Sequence, residues 1–338
     1  MGYRITEKAL DTVLGSLSEE FIILAPKRFK DGGRFSDADI VRYGEIHSAS
    51  EIVYDEKSAD SFKEALLPTS QTLFYFTEKQ VKEADAPAKG VIVFLRSCDI
   101  HAVKRLDEIY QRNGGGDYYY RQHREKVRFV LMGCPKSFET CFCADMGTNR
   151  TEDYDLSIEP NGDGYYIDCK NDQLQSLLEE HKEETLDVVP SYVSNTAVTV
   201  NIPEGLSAEV GTSQMWDEYD GRCIDCGRCN FACPTCTCFT MQDIFYSDNG
   251  RAGERRRVWA SCMVSGFTDV AGGESYRKKN GQRMRFKVLH KVLDYKQRFG
   301  YHMCVGCGRC GDVCPEYISF SHIINRLADA VEEVQNNV

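Results

Sequence analysis

The first 215 residues alternate between short apolar runs and amphipathic stretches. Residues 4–17 and 100–110 carry apolar side chains at helical spacing, which predicts two helices. Short runs of apolar, β-branched and aromatic residues predict strands at 21–24, 73–76, 91–95 and 127–132. A turn at residues 161–164 lies between two further runs of this kind and predicts a hairpin. Strands that alternate with helices are typical of an α/β domain, which we predict for residues 1–215.

Composition narrows the class of protein. The chain has 338 residues, of which 42% are hydrophobic and 28% charged, and its length suggests about two globular domains. Its net charge of −11 argues against a nucleic-acid partner. We expect neither a signal peptide nor a transmembrane helix, because the first residues lack an apolar core and the longest apolar runs are strand-sized. Sixteen cysteines in such a chain indicate metal ligation in the cytoplasm.

One cysteine spacing, C-x2-C-x2-C-x3-C-P, occurs twice in the second part of the chain. It is typical of the [4Fe–4S] sites of bacterial ferredoxins, in which the fourth cysteine ligates the other cluster. The predicted ligands of the first cluster are Cys223, Cys226, Cys229 and Cys314. The predicted ligands of the second cluster are Cys304, Cys307, Cys310 and Cys233. Structural zinc is a weaker interpretation, since zinc sites use paired C-x2-C units with no third cysteine in register.

The two cysteine motifs enclose a long basic insertion. The 70 residues between Cys233 and Cys304 exceed what a compact ferredoxin uses, and residues 318–334 have helical periodicity. We therefore predict that residues 216–338 form an α-helical ferredoxin-like two-cluster domain. Residues 251–298 contain 13 Lys and Arg against 4 Asp and Glu. These cations either form solvated faces that partly offset the anionic clusters or form a docking face for an acidic partner.

Four further cysteines are candidates for a third cluster. Cys98 and Cys134 each follow a predicted strand, and a crossover helix between the two strands would make them parallel, with their ends at one edge of the sheet. Cys141 and Cys143 follow on a loop that could fold over that edge. We predict a third [4Fe–4S] cluster held by these thiols, with Asp99 as an alternative ligand. The competing interpretation is that the cysteines are small buried hydrophobic side chains.

The remaining motifs add no other cofactor. Cys236, Cys238 and Cys262 could replace a ligand, but packing against a cluster is favoured, and Cys169 looks incidental. Residues 306–311 match G-x-G-x-x-G only formally, because their variable positions include predicted cluster ligands. The cysteine spacing also differs from the pairs that hold sirohaem. We therefore predict that this chain binds no NAD, flavin or sirohaem and has no catalytic residues of its own.

With these motifs, the sequence resembles the A subunit of anaerobic sulfite reductases over nearly its whole length. The motifs that carry the resemblance are Gly32-Gly-Arg-Phe-Ser-Asp37, Thr72-Leu-Phe-Tyr-Phe76, Cys98-Asp-Ile, Cys141-Phe-Cys-Ala-Asp-Met-Gly-Thr-Asn149, Cys226-Gly-Arg-Cys229, Cys233-Pro-Thr-Cys-Thr-Cys238, Gly253-Glu-Arg-Arg-Arg257, Trp259-Ala-Ser-Cys-Met263 and Met303-Cys-Val-Gly-Cys-Gly-Arg-Cys310. The β subunit of cytoplasmic sulfhydrogenases is similar in the cysteine blocks but fits the segments Gly32-Gly-Arg-Phe-Ser-Asp37 and Met146-Gly-Thr-Asn149 less well.

The resemblance implies an electron-transfer subunit of a cytoplasmic complex. A flavin- and NADH-binding B subunit would supply electrons, this chain would relay them through its [4Fe–4S] clusters, and a sirohaem C subunit would reduce sulfite to sulfide. The alternative is the electron-transfer β subunit of a sulfhydrogenase-type hydrogenase complex. A zinc-stabilised scaffold is a rival of another class. The cysteine motifs themselves predict the electron relay, whereas the prediction that sulfite is the substrate of the complex comes from the resemblance alone. We expect no nucleic-acid or membrane partner.

Overall fold

The computed structural model of the chain describes residues 1–33 and 37–336. Arg34, Phe35 and Ser36, which belong to the first motif of the resemblance, lie outside the described residues. Over the described residues the strands are β1 (Gly2–Thr6), β2 (Phe21–Phe29), β3 (Ile40–Glu45), β4 (Ser70–Thr77), β5 (Val81–Glu83), β6 (Gly90–Leu95), β7 (Val127–Met132), β8 (Leu156–Asn161), β9 (Gly164–Cys169), β10 (Glu184–Leu186), β11 (Phe239–Phe245) and β12 (Ala252–Trp259). The helices are α1 (Glu7–Leu17), α2 (Ser97–Gln111), α3 (Tyr118–Arg124), α4 (Asp172–His181), α5 (Glu218–Arg222), α6 (Arg228–Phe231), α7 (Asn280–Leu289), α8 (Tyr295–Phe299), α9 (Arg309–Asp312), α10 (Phe320–Asn325) and α11 (Leu327–Asn336).

The chain divides into two compact units. Unit 1 consists of Met1–Pro68, Asp85–Phe138 and Gly147–Asn195, and unit 2 of Thr69–Ala84, Glu139–Met146 and the residues from Thr196 onwards. The boundary predicted from the sequence is a single cut between residues 215 and 216. The division into units differs from it, because residues 69–84, 139–146 and 196–215 precede that cut and belong to unit 2.

Unit 1 is built on a mixed sheet with the strand order β10-β1-β9-β8-β7-β6-β2-β3. Its centre is parallel, since β2 pairs with β6, β6 with β7 and β7 with β8 in parallel register. Helix α2 connects β6 to β7 as a crossover. The predicted crossover is therefore confirmed, and the carboxyl ends of β6 and β7 lie at the same edge of the sheet. The predicted hairpin is confirmed as well, by the antiparallel pair β8 and β9.

The start of the chain differs from the prediction. Residues 4–6, predicted as helix, belong to β1, which pairs with β9 on one side and β10 on the other. Tyr3 and Ile5 alternate into the core of unit 1, and both are fully buried. The helix begins only at Glu7, because the Thr6 hydroxyl caps it by accepting a hydrogen bond from Ala9 N at 3.1 Å.

Unit 2 contains an antiparallel sheet with the order β11-β12-β4-β5. The expectation of an α-helical second domain is thus wrong for the insertion, where residues 239–245 and 252–259 form a hairpin. The reason is a distant partner: β12 pairs with β4 from the first part of the chain, and Thr72 Oγ1 donates to Glu254 Oε2 at 2.6 Å. Local periodicity does not reveal such a pairing.

The helices of unit 2 surround the cysteine motifs. Helix α7, a π-helical turn (His290–Asp294) and α8 follow one another without interruption. Residues 318–334, predicted as one helix, form α10 and α11 with Arg326 between them. Their buried side chains join Trp216, Met284 and Val288 in one core. Within residues 1–33 and 37–336, no helix has both the length and the hydropathy needed to span a lipid bilayer.

Candidate metal centres

The two cysteine motifs have the same backbone conformation. Asp225 and Gly306 occupy equivalent positions and have φ angles of 65° and 66°, and Gly227 and Gly308, also equivalent, both have a φ of 73°. Each motif then enters a short helix, α6 after Gly227 and α9 after Gly308. The repeat seen in the sequence is therefore a repeat in the structure.

The second motif is held by a segment that contains two of the other cysteines. Phe142 N donates to Gly306 O at 2.8 Å, and Thr140 Oγ1 donates to Asp312 Oδ1 at 2.7 Å. A Cβ on Gly306 would lie 2.6 Å from the backbone of Phe142, and one on Gly308 would lie 2.3 Å from Thr140 O. These glycines therefore serve both the left-handed turn and the close approach of two backbones.

The first predicted set of thiols shares one cavity. Cys223, Cys226, Cys229 and Cys314 line it together with apolar side chains that include Met284. Burial raises the pKa of Cys223, and the neighbouring thiols of the set raise it further. The backbone N–H of residue 318 donates to Cys314 Sγ at 3.4 Å. Four thiols in an apolar cavity, one of them accepting a backbone N–H, form a donor set that fits a [4Fe–4S] cluster.

The second predicted set also comes together. Burial raises the pKa of Cys310, and the thiols of Cys233, Cys307 and Cys304 add to the rise because they lie near it. Cys314 thus lies near the first set and Cys233 near the second, and their role as fourth ligands stays a prediction from the ferredoxin spacing. Within the described part of the chain, no three His, Cys, Asp or Glu side chains converge on a position for a single metal ion.

Two buried lysines lie beside these thiols. Lys291 Nζ donates to Cys233 Sγ at 3.4 Å and to Thr235 Oγ1 at 2.8 Å. Burial by itself would lower the pKa of both lysines, but nearby thiolates outweigh it and raise the pKa, Cys229 first for Lys287 and Cys233 first for Lys291. Both lysines are therefore cationic in this surrounding.

The sequence analysis counted these lysines within the basic insertion but did not single them out. A signal was present, because Arg283, Lys287 and Lys291 repeat every four residues among apolar side chains of a helical segment. The insertion also contains exposed cations that pair with carboxylates, such as Arg255, whose Nε lies 2.7 Å from Asp243 Oδ1. The insertion thus contains both solvated cations and buried ones.

Three additional cysteines lie next to the predicted ligands. Cys236 hydrogen-bonds with Cys233 and thereby lowers the pKa of the Cys233 thiol, an effect to which the charge of Lys291 adds. Cys262 accepts a hydrogen bond from Asn230 Nδ2 at 3.1 Å and contacts Cys238. This arrangement agrees with packing beside the thiol sets, the role favoured from the sequence.

Cys98 and Cys134 lie at the carboxyl ends of neighbouring parallel strands in unit 1. Cys98 is in the first turn of α2 directly after β6, and Cys134 follows β7 and donates its N–H to Ser191 O at 2.9 Å. Arg96 joins the two strand ends, since its Nη1 donates to Gly133 O at 3.1 Å. Asp99, the alternative ligand, is fully buried at the same edge.

Cys141 and Cys143 belong to unit 2. Both are buried, and Cys141 Sγ lies 3.8 Å from Cys307 O, beside the second motif. The third cluster at Cys98, Cys134, Cys141 and Cys143 stays a prediction from the sequence. Cys169 is buried in β9 of unit 1, within an apolar core.

Comparison with known proteins supports iron–sulfur chemistry. Residues 222–318 match the family described as the 4Fe-4S dicluster domain. The chain is also similar to the sulfhydrogenase 2 subunit beta of Pyrococcus furiosus, with 28% identity over 307 residues that cover 86% of this chain and 90% of the relative. No solved structure matches the chain. Residues 222–318, which follow an α/β region, are thus similar to a 4Fe–4S dicluster domain, and most of the chain is similar to a sulfhydrogenase β subunit.

Proposed function

We propose that this chain relays electrons through two [4Fe–4S] clusters within a multi-subunit oxidoreductase. The observation that carries the proposal is the pair of four-thiol sets, each completed by a cysteine from the other motif. A bound [4Fe–4S] cluster accepts and donates one electron at a time. The thiols that would hold the clusters are Cys223, Cys226, Cys229 and Cys314 for the first, and Cys304, Cys307, Cys310 and Cys233 for the second.

Apolar residues surround the first site, and the exchange of cysteines ties the two sites together. Met263, Met284 and Ile318 line the first cavity, in which Cys226 is the exposed thiol. The N–H donated to Cys314 Sγ stabilises charge on that sulfur. Because each motif gives its fourth cysteine to the other site, the sites stay close together, as electron transfer between them requires.

A finer proposal concerns the complex in which the relay works. We propose a cytoplasmic sulfite reductase, with a flavin- and NADH-binding subunit as electron donor and a sirohaem subunit as acceptor, on the strength of the motif resemblance. A sulfhydrogenase-type complex is the second candidate, and the similarity to a sulfhydrogenase β subunit favours it. Purifying the native complex and assaying NADH-dependent sulfite reduction and hydrogen oxidation separates the two.

The cluster assignment can be tested on the full chain, purified without oxygen. We expect Cys223→Ser and Cys314→Ser to remove one and the same electron paramagnetic resonance (EPR) signal during reductive titration. Cys304→Ser and Cys233→Ser should remove the other signal. Cys169→Ser is the matched control, because it also removes a buried thiol, and it should keep the iron content and both signals.

Two outcomes would contradict this assignment. If Cys314→Ser removed the same signal as Cys304→Ser, the pairing of the motifs would be wrong. If the purified chain contained zinc and no acid-labile sulfide, the relay itself would be rejected and a zinc-stabilised scaffold would replace it.

We also propose the third cluster, at Cys98, Cys134, Cys141 and Cys143. Its support is the parallel register of β6 and β7, which puts Cys98 and Cys134 at one edge of the sheet in unit 1. Such edges are where α/β proteins commonly bind their ligands. Three clusters of four irons would give about 12 iron atoms per chain, and two would give about 8.

A further inference from the structure

Three cations occupy one side of α7 and the π-helical turn that follows it. Arg283, Lys287 and Lys291 are four residues apart, so they share a helix face. Their exposed fractions are 4%, 4% and 3%. A buried cation is costly unless negative charge lies close to it. This row of cations therefore requires an anionic counterpart inside unit 2.

Thiols of the two predicted clusters surround both lysines. Lys291 donates to Cys233 Sγ at 3.4 Å and also lies near Cys304, so its neighbours belong to the second set. Lys287 lines the cavity of the first set and lies near both Cys229 and Cys310. Lys287 thus stands between the two sets, whereas Lys291 stands at the second one.

Arg283 has a different surrounding. Its Nη2 lies 3.3 Å from Asp225 Oδ2, in the loop of the first motif, and its Nη1 donates to Arg277 O at 3.0 Å. The Asp225 carboxylate thus neutralises the charge of Arg283. Arg256 and Arg251 of the insertion are likewise paired with carboxylates, since Arg256 contacts Glu254 and Arg251 Nε lies 3.1 Å from Glu78 Oε1. Lys287 and Lys291 instead face sulfur: Lys291 Nζ donates to Cys233 Sγ, and Lys287 lines the cavity that also contains Cys229 and Cys310.

We propose that Lys287 and Lys291 are counter-charges of the two clusters and raise their reduction potentials. This inference rests on the proposed function. A cluster held by four thiolates is anionic and gains one further negative charge when it accepts an electron from its redox partner. A fixed cation in a buried site stabilises that reduced state more than the oxidised one. Lys291 acts on the second cluster, and Lys287 acts on both.

The test replaces each lysine in the full chain with a neutral side chain of similar length. Lys291→Met should make the second cluster harder to reduce by at least about tenfold in its one-electron equilibrium, which is about 59 mV, and leave the first cluster unchanged. Lys287→Met should lower the potentials of both clusters. Lys296→Met is the matched control, because Lys296 is exposed on α8 and its loss changes the net charge equally. EPR-monitored redox titration gives the potentials, and iron content shows that the clusters are bound.

The outcomes separate this inference from the relay itself. Unchanged potentials in both Met variants at parental iron content overturn it, and so do equal shifts in Lys296→Met. If a Met variant loses iron, the lysine is replaced by arginine, which keeps the positive charge. An Arg variant that keeps its iron and the parental potential supports a role of the charge. An Arg variant that loses iron overturns the inference. Absence of iron from the parent chain would instead reject the proposed function.

Discussion

Gly306 and Asp225 occupy equivalent positions in the two cysteine motifs and share a left-handed backbone conformation. Aspartate tolerates this conformation better than most side chains, and the Asp225 carboxylate gains a hydrogen bond from Ser265 N at 2.9 Å. At position 306 the backbone of Phe142 lies too close for any side chain. The same turn can therefore use two residue types, and the neighbouring segment decides which.

Gly308 provides a residue-scale prediction. Gly308→Ala forces a left-handed alanine, which costs about 1–2 kcal/mol, and brings Cβ to within 2.3 Å of Thr140 O. We expect the second motif to separate from the segment around Thr140 and the chain to lose about four iron atoms. Iron assay and thermal unfolding of the anaerobically purified chain measure both effects.

Gly311→Ala is the matched control for this substitution. Gly311 lies three residues later, in the short helix α9 that follows Gly308, and a Cβ there meets no atom within 4 Å. Its replacement should change the free energy of unfolding by less than about 0.5 kcal/mol and leave the iron content unchanged. Equal iron loss in both variants would mean that α9 tolerates no side chain, and the argument from close approach would fail.

The contrast between site residues and their surroundings shows what sequence can predict. The spacing of Cys223 to Cys233 and of Cys304 to Cys314 implies two thiol sets, because the positions of the first three cysteines of each motif are local to one loop and the ferredoxin pattern assigns the fourth to the other set. The role of Lys287 was not predicted, since its contacts with Cys229 and Cys310 depend on how α7 packs. Tertiary packing, and not composition, makes one lysine buried and another exposed.

Among the elements, α5 and α7 position the first cysteine motif. Helix α5 leads directly into Cys223, and Asn280 at the start of α7 donates from Nδ2 to Cys223 O. Gly281 N donates to Asp220 Oδ1 at 2.7 Å, which joins the two helices. A Cβ on Gly281 would lie 2.2 Å from Trp216 O. The absence of a side chain at residue 281 therefore sets how closely α7 approaches the motif.

Replacing two helical glycines by alanine should change the free energy of unfolding in opposite directions. Gly281→Ala should push α7 away from Trp216 and destabilise the chain by about 1–3 kcal/mol, with loss of the first EPR signal. Gly15→Ala in α1 meets no atom within 4 Å and should stabilise by about 0.5–1 kcal/mol, because alanine is the better helix former. Thermal unfolding of both variants measures the effects, and a Gly281→Ala protein as stable as the parent would contradict the packing argument.

The elements also differ in how well the sequence predicts them. β6, β7 and α2 were predicted because strand and helix periodicities are local, and the structure confirms all three elements. The hairpin of β11 and β12 was missed, since the partner that supports it, β4, lies far away in the chain. Residues 4–6 were wrongly assigned to a helix, because a segment of three residues with one apolar side chain fits the start of a helix as well as a strand.

For the chain as a whole, the two units are interleaved in sequence. The chain passes between them at residues 68/69, 84/85, 138/139, 146/147 and 195/196. Residues 69–84 supply β4 and β5 to the sheet of unit 2, and residues 139–146 supply the segment that holds the second motif. Unit 2 is therefore assembled from three parts of the chain, and a cut at residue 215 would remove two of its strands.

For the whole molecule, we predict the number of clusters that one chain binds. Cys98→Ala and Cys134→Ala should each lower the iron content from about 12 to about 8 atoms per chain, because a cubane that lacks a thiolate ligand is released as a unit. Cys169→Ala is the control, since it removes a buried thiol from the same unit without touching a predicted ligand. Both EPR signals of the dicluster domain should persist in all three variants, because their eight ligands remain. If Cys98→Ala and Cys134→Ala keep the parental iron content, the two thiols are not cluster ligands, and the argument from the strand ends of β6 and β7 is wrong.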